Sequence, residues 1–266
     1  MAALIFDSHC HYDDRAFDED RYELLDRLLV NEGHTVDKML HAAVDEKSSL
    51  FGIETAQRYE NYYTSIGFHP EYADDVPDNY MELLTALYEK AEGTGKLRAV
   101  GEIGLDHHYE GYNAAKQTEL FVSQVKFANE KGLPIIVHCR DATEECMRIL
   151  SELRPAGVMH CFSGSAETAE EVVGLGMYVG FTGSLAFKNN KKAKRACEAV
   201  PIERLLLETD CPYMAPPPYR GERSESSMIA ETAKVMAEVK GVTADEILRA
   251  TNENACRLFG IAPFAR

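Results

Sequence analysis

Basic residues are scarce in this chain. Against 44 aspartates and glutamates stand 28 lysines and arginines, giving a formal net charge of −16 over 266 residues. That shortage argues against broad, nonspecific attachment to nucleic acid through phosphate contacts. It leaves room for a polyanionic substrate, because bound metal ions reverse the field locally. A CxxC pair is missing too. The seven cysteines, an odd number without framework spacing, do not build a disulfide scaffold and read as thiols of a reducing, cytoplasmic compartment. Long apolar runs are also lacking. The longest uncharged stretch, Val172 to Phe187, is interrupted by four glycines and falls short of a spanning helix. No membrane association is therefore expected. The first residues carry no basic segment and Asp7 cuts the first apolar run, which argues against a secretory signal.

What the chain does have is the balance of a globular protein, with 45% hydrophobic and 27% charged residues. Short apolar runs alternate with amphipathic segments. The runs are Leu4 to Phe6, Met39 to Val44, Tyr63 to Gly67, Leu97 to Gly104, Ile135 to His138, Gly157 to His160, Met177 to Phe181 and Leu205 to Leu207. Nearly continuous hydrophobicity between turn signals suits strands covered on both faces. Helices are predicted over Arg21 to Val30, Glu46 to Tyr59, Asn79 to Glu92, Ala114 to Lys131 and Thr143 to Leu153. Further helices are predicted over Ala166 to Leu175, Asn190 to Val200, Ser224 to Lys240 and Thr243 to Phe259. Thr243 and Glu246 have the spacing of a capping box, and Gly260 stops the last helix. Eight strand–helix units in this length predict an α/β fold: a single (β/α)8 TIM barrel, one domain over residues 1–266, with a doubly wound open sheet as the runner-up.

Four histidines stand where predicted strands end. His9 and His11 follow the first run, two apart, so that in extended chain they face the same side as a chelating pair. His138 ends the fifth run and His160 the sixth; Glu102 lies near the end of the fourth and Asp210 follows the eighth. In a barrel these ends open onto one mouth. Four imidazoles and two carboxylates suffice for two divalent cations, with Glu102 able to bridge them through its two oxygens. Each residue taken singly has a plainer reading: a hydrogen-bonded structural histidine, a helix N-cap for Asp210, half of a salt bridge for Glu102. It is the combination that points to a metal centre. His69, in Gly67-Phe68-His69-Pro70, faces the same mouth and is expected to support a ligand or contact substrate, a structural turn being the alternative. His107 and His108 are near the mouth, whereas His34 and His41 read as structural or exposed.

These motifs resemble the TatD-type metal-dependent deoxyribonucleases of the amidohydrolase superfamily. The resemblance rests on Asp7-Ser8-His9-Cys10-His11, Gly101 to Asp106, Val137 to Ala142, His160 to Gly164 and Leu207 to Pro212, and it extends from residue 4 to about 260. Phosphotriesterase-like relatives share His-x-His but bridge their ions with a carboxylated lysine, where the fourth strand here offers Glu102. The resemblance implies His9, His11, Glu102, His138, His160 and Asp210 as metal ligands. It also implies two divalent cations (Mg, Mn or Zn) and hydrolysis of single-stranded DNA or another nucleic acid, in the 3′–5′ direction. Within it, Asp210 and Glu102 carry the catalytic roles. Arg140, Arg220 and Arg223 are expected to hold phosphate oxygens, the alternative for Arg140 being a salt bridge with Asp141. Glu208 is expected to accept from a ligand imidazole or to be paired inside the barrel. The basic cluster Lys188, Lys191, Lys192, Lys194 and Arg195 is either a phosphate-steering patch or a solvated helix face. No obligate protein partner is expected. The chain departs from the family pattern once: after Arg220-Gly221-Glu222-Arg223 the family commonly continues Asn-Glu-Pro, and here the residues are Ser224-Glu225-Ser226. The competing function is the same two-ion site acting on an ester or amide such as aminoacyl-tRNA; a barrel that binds without turnover is a third reading.

Overall fold

Eight parallel strands carry the apolar runs in a computed structural model that describes residues 5–263. They are β1 (Ile5–Cys10), β2 (Val36–His41), β3 (Tyr62–Ile66), β4 (Leu97–Asp106), β5 (Ile135–Arg140), β6 (Gly157–Met159), β7 (Tyr178–Phe181) and β8 (Leu205–Leu207). Leu4, which opens the first predicted run, lies outside the described residues. The α-helices are α1 (Arg21–Leu29), α2 (Glu46–Arg58), α3 (Tyr80–Glu92), α4 (Ala114–Lys131), α5 (Thr143–Leu153), α6 (Ala166–Gly174), α7 (Lys191–Ala199), α8 (Ile229–Lys240) and α9 (Ala244–Leu258). The strands follow one another in the sheet in chain order, β1 to β8. β8 in turn lies beside β1, where Asp210 N–H donates to the His9 carbonyl (3.0 Å) and Ser8 Oγ donates to the Leu207 carbonyl (3.0 Å). A doubly wound sheet leaves its first and last strands apart or on different edges, so this neighbourhood decides for the (β/α)8 arrangement. Every residue of β1 and of β2 is buried, as two-sided coverage requires. No helix among the described residues is long and apolar enough to cross a membrane.

Contacts group the described residues into two compact units. The first holds β1, β2, β7 and β8 with α1 and α6 to α9. Its last helix opens with the expected capping box: Thr243 Oγ1 accepts from Glu246 N–H (3.2 Å) while Glu246 Oε2 accepts from Thr243 N–H (2.8 Å). Asn254 anchors α9 by donating to the carbonyls of Ile202 (2.8 Å) and Leu205 (2.9 Å) at the start of β8. Two expectations shift here. β2 begins at Val36, not Met39, because Asp37 and Lys38 pair with each other inside the protein and so escape a reading based on apolar residues. α8 begins at Ile229, not Ser224, because the backbone before it is drawn into hydrogen bonds with β1 and the segment after it.

The second unit holds β3 to β6 with α2 to α5. β4, ten residues long, extends two residues past the expected run, to Asp106, with Glu102 inside the strand as expected. Its Gly104 has φ +153°, and a Cβ there would run into the His138 carbonyl oxygen on β5. Only glycine lets the two backbones approach so closely. Gly104→Ala is therefore expected to cost ~3 kcal/mol, or about 6–12 °C in Tm for a chain of this size. A thermal melt followed by circular dichroism checks this, and an unchanged melt would refute the close approach.

Candidate metal centre

In the first unit, the period-two geometry of β1 brings the His-x-His pair together. His9 is fully buried and His11 lies one residue past the strand. Their Nε2 atoms are 2.9 Å apart, and Asp210 Oδ1 stands 3.3 Å from His11 Nε2 and 3.7 Å from His9 Nε2. Ligand atoms about 2.1 Å from a common cation stand roughly 3–3.5 Å from one another. The three side chains of this unit lie close to that spacing and could together hold one cation. Asp210 reaches this position from a left-handed backbone, φ +60°, unusual for a residue with a Cβ.

Asp7, which sequence reasoning passed over, underlies this cluster. Fully buried, it accepts from His9 N–H (3.3 Å), Thr209 N–H (3.0 Å) and Thr209 Oγ1 (2.7 Å), so it ties the residues around His9 to those around Asp210. Burial pushes its carboxyl up to about 6, and the hydrogen bonds from Thr209 and Ser226 pull the other way. His41, expected to be structural or exposed, is buried with its ring centroid 6.5 Å from that of His11.

The second unit surrounds one carboxylate with imidazoles. Glu102 Oε1 is 2.8 Å from His138 Nδ1, 3.3 Å from His160 Nε2 and 3.5 Å from His69 Nε2. The other ring nitrogen of His138 meets Asp106 Oδ2 at 2.9 Å. Burial works against charge on His138, but its bonds to Asp106 and Glu102 prevail and raise it to about 10. For Asp106, burial is likewise outweighed, by hydrogen bonds from His138 and from the His108 amide, and its carboxyl is held low. His69 goes the opposite way: burial first and then repulsion from His138 lower its affinity for a proton. A buried imidazole between two carboxylates is a donor set that suits a divalent ion, which His138 would ligate only after giving up its proton. Two glutamines of α4 brace the surroundings. Gln117 exchanges hydrogen bonds with the backbone of Asp106 (3.0 and 2.9 Å), and Gln124 with the backbone of Phe68 (2.8 and 3.0 Å), beside His69. Asp106 was the second acid missed. Its signal was present in the even spacing from Glu102 along one strand.

The remaining residues singled out in the sequence are distributed as follows. Glu208 is buried and accepts from the Cys161 amide, in space left open by Gly180. His108 pairs with Asp141 (2.8 Å), and the His107 ring stacks on Tyr112 at 4.3 Å. Arg140 lies over the ring of Tyr109 (5.3 Å) and Arg220 over that of Phe187 (4.0 Å). Arg223 is already engaged: its fork grips Asp20 (2.7 and 2.6 Å) and the Ala16 carbonyl (2.7 Å) above the Phe17 ring. The basic residues 191, 192, 194 and 195 lie on α7, with Lys188 just before it.

A (β/α)8 fold with imidazole–carboxylate clusters near the carboxyl ends of its strands defines a metal-dependent hydrolase. Comparison with known proteins agrees. A family profile described as TatD related DNase matches residues 6–260. The chain is 38% identical over 261 residues to the uncharacterized metal-dependent hydrolase YabD of Bacillus subtilis, covering 97% of this chain and 100% of that protein. It is 32% identical to the 3′-5′ ssDNA/RNA exonuclease TatD of Cronobacter sakazakii, covering 96% and 97%. Among solved structures, the TatD homologue YjjV of Escherichia coli superposes with a TM-score of 0.90 at 30% identity, covering 98% of this chain and 100% of that one. The chain belongs to the TatD-related DNase family.

Two predictions follow from these geometries. His138→Ala, with a native circular dichroism spectrum, is expected to lower cation content by up to one equivalent per chain in elemental analysis; unchanged stoichiometry would remove His138 from the ligands. The second concerns Asp20, whose carboxyl Arg223 holds below the ordinary value of 3.8. A lowered folded value stabilises above the unfolded one and is lost as pH falls through it. Because both side chains are about a third or more exposed, Arg223→Ala is expected to cost under ~1 kcal/mol at neutral pH. The share of that cost that comes from Asp20 should vanish in strong acid, leaving what the Ala16 carbonyl and Phe17 ring contacts contribute, and urea melts at the two pH values measure the difference.

Proposed function

We propose that this chain hydrolyses phosphodiester bonds of single-stranded nucleic acid, DNA foremost, releasing mononucleotides from the 3′ end. The observation that carries this reading is the convergence of His9, His11 and Asp210 on one point, in a chain that resembles a relative named as a 3′-5′ ssDNA/RNA exonuclease over 96% of its length. His9, His11 and Asp210 would hold one divalent cation; Glu102, His138 and His160 would hold a second, with Mg, Mn and Zn as the ions of choice. All six lie in the carboxyl-terminal half of a strand or just beyond one, where (β/α)8 enzymes carry their chemistry. Cations so held supply positive charge for the phosphoryl oxygens and a water acidified toward neutral pH.

The chain's own groups do the rest. Asp210, the more accessible acid of its cluster, orients the attacking water and takes its proton. Glu102, ringed by three imidazoles, keeps the second cluster anionic enough to retain its ion. His69, kept neutral by burial, presents its Nε2 side to Glu102 and accepts from Glu71 N–H on Nδ1 (3.2 Å), which fixes its tautomer. Arg140, exposed at the end of β5, and Arg220 are the phosphate contacts in this reading.

Asp210→Asn is expected to lower cleavage of a short single-stranded oligonucleotide by at least about a hundredfold while leaving the circular dichroism spectrum unchanged. Strands labelled at the 3′ or the 5′ end, assayed with a charged tRNA in parallel, test the substrate. Mononucleotides appearing from the 3′ end support the proposal. A released amino acid with intact oligonucleotide would reassign the site to ester hydrolysis.

A further inference from the structure

Ser226 opens the short turn, Ser226–Met228, that leads into α8. It is fully buried. Its Oγ donates to Asp7 Oδ2 (2.7 Å), its N–H donates to Tyr12 Oη (3.1 Å), and Tyr12 Oη lies 2.8 Å from Ser226 Oγ. With the serine proton committed to the carboxylate, the tyrosine is the donor of that last bond. A relay results, Tyr12 to Ser226 to Asp7, in which each bond polarises the next.

The ends of that relay are what give it consequence. Tyr12 follows His11 directly. Asp7 accepts from the amide of His9 and from both the amide and the hydroxyl of Thr209, the residue before Asp210. The backbones of His9 and of the residue before Asp210 are therefore fixed by this network, and the residue after His11 is tied to it through its side chain. Two further backbone bonds, Asp210 N–H to the His9 carbonyl (3.0 Å) and His11 N–H to the Cys211 carbonyl (3.1 Å), hold the same two segments side by side. The left-handed conformation of Asp210 is unfavourable for a residue with a Cβ and persists only where the surroundings impose it.

We infer that Ser226, acting through Asp7 and Tyr12, is a positioning residue that sets the spacing of His9, His11 and Asp210 for a divalent cation. This rests on the reading of that cluster as a cation site. Mn2+ alone is the probe, titrated calorimetrically into the metal-stripped chain, with the visible absorption of bound Co2+ as a spectroscopic check. Ser226→Ala is expected to weaken one class of Mn2+ site about tenfold, to shift the Co2+ bands, and to lower kcat on a labelled oligonucleotide with KM within about twofold. Ser226→Thr, which keeps the hydroxyl, should restore all three. Tyr12→Phe, which removes one hydroxyl and no volume, should move Mn2+ affinity in the same direction by less, and it serves if the alanine variant does not fold. Wild-type Mn2+ affinity and Co2+ spectrum in Ser226→Ala or Tyr12→Phe, whatever the melting temperature, would overturn the inference. A wild-type chain that binds Mn2+ but cleaves no nucleic acid would sink the proposed function and leave the inference standing; one that binds no Mn2+ would overturn both.

Discussion

The seam between the ends of β1 and β8 is the constraint on which the first cluster depends. Two imidazoles and a carboxylate at about 3 Å spacing do not come together by their own attraction, because each loses hydration in doing so. They are held by backbone. The Asp210 and His11 amides bond across the seam, and Asp7 gathers the amides and hydroxyls around it into one buried knot. Buried polar groups are tolerable when every donor has an acceptor, and here that satisfaction doubles as alignment of the three ligand atoms.

The second cluster solves the same problem with charge. Glu102 and Asp106 share β4, and His138 on β5 lies between their carboxylates. The positive ring offsets two buried negative groups that would otherwise repel each other. Such a place is suited to a cation, and it connects the family membership of the chain to chemistry that can be read from its own side chains. Metal-dependent hydrolysis goes with the family; the choice of substrate depends on loops.

Much of this was legible before any coordinates. The apolar runs located all eight strands, because strands covered on both faces cannot hide their hydrophobicity. The His9-Cys10-His11 spacing brought two imidazoles to one point, because strand geometry repeats every two residues. What escaped did so through pairing that hydropathy does not show, most of it across long sequence separations. β2 was read late because Asp37 and Lys38 neutralise each other inside the protein. α8 was read early because nothing local tells that Ser226 is bonded to Asp7, 219 positions away. Arg223 was read as a free fork, whereas Asp20, 203 positions away, fills it. Asp7 and Asp106 were passed over although each keeps an even spacing from a residue already chosen, since an acid inside an apolar run is most simply taken as half of an ion pair.

Helix α4 presents two primary amides, Gln117 and Gln124, seven residues apart, each closing a two-point grip on main chain beside the second cluster. Seven residues are about two turns, so both amides emerge from one side of the rod, separated by roughly 10 Å along its axis. The helix thus works as a fixed-length gauge for the strand-end segments it clasps. One residue inserted between the glutamines would swing one grip about 100° around the axis and release it, whereas lengthening at either tip would leave the gauge intact. Drift in the length of this helix is therefore confined to its ends.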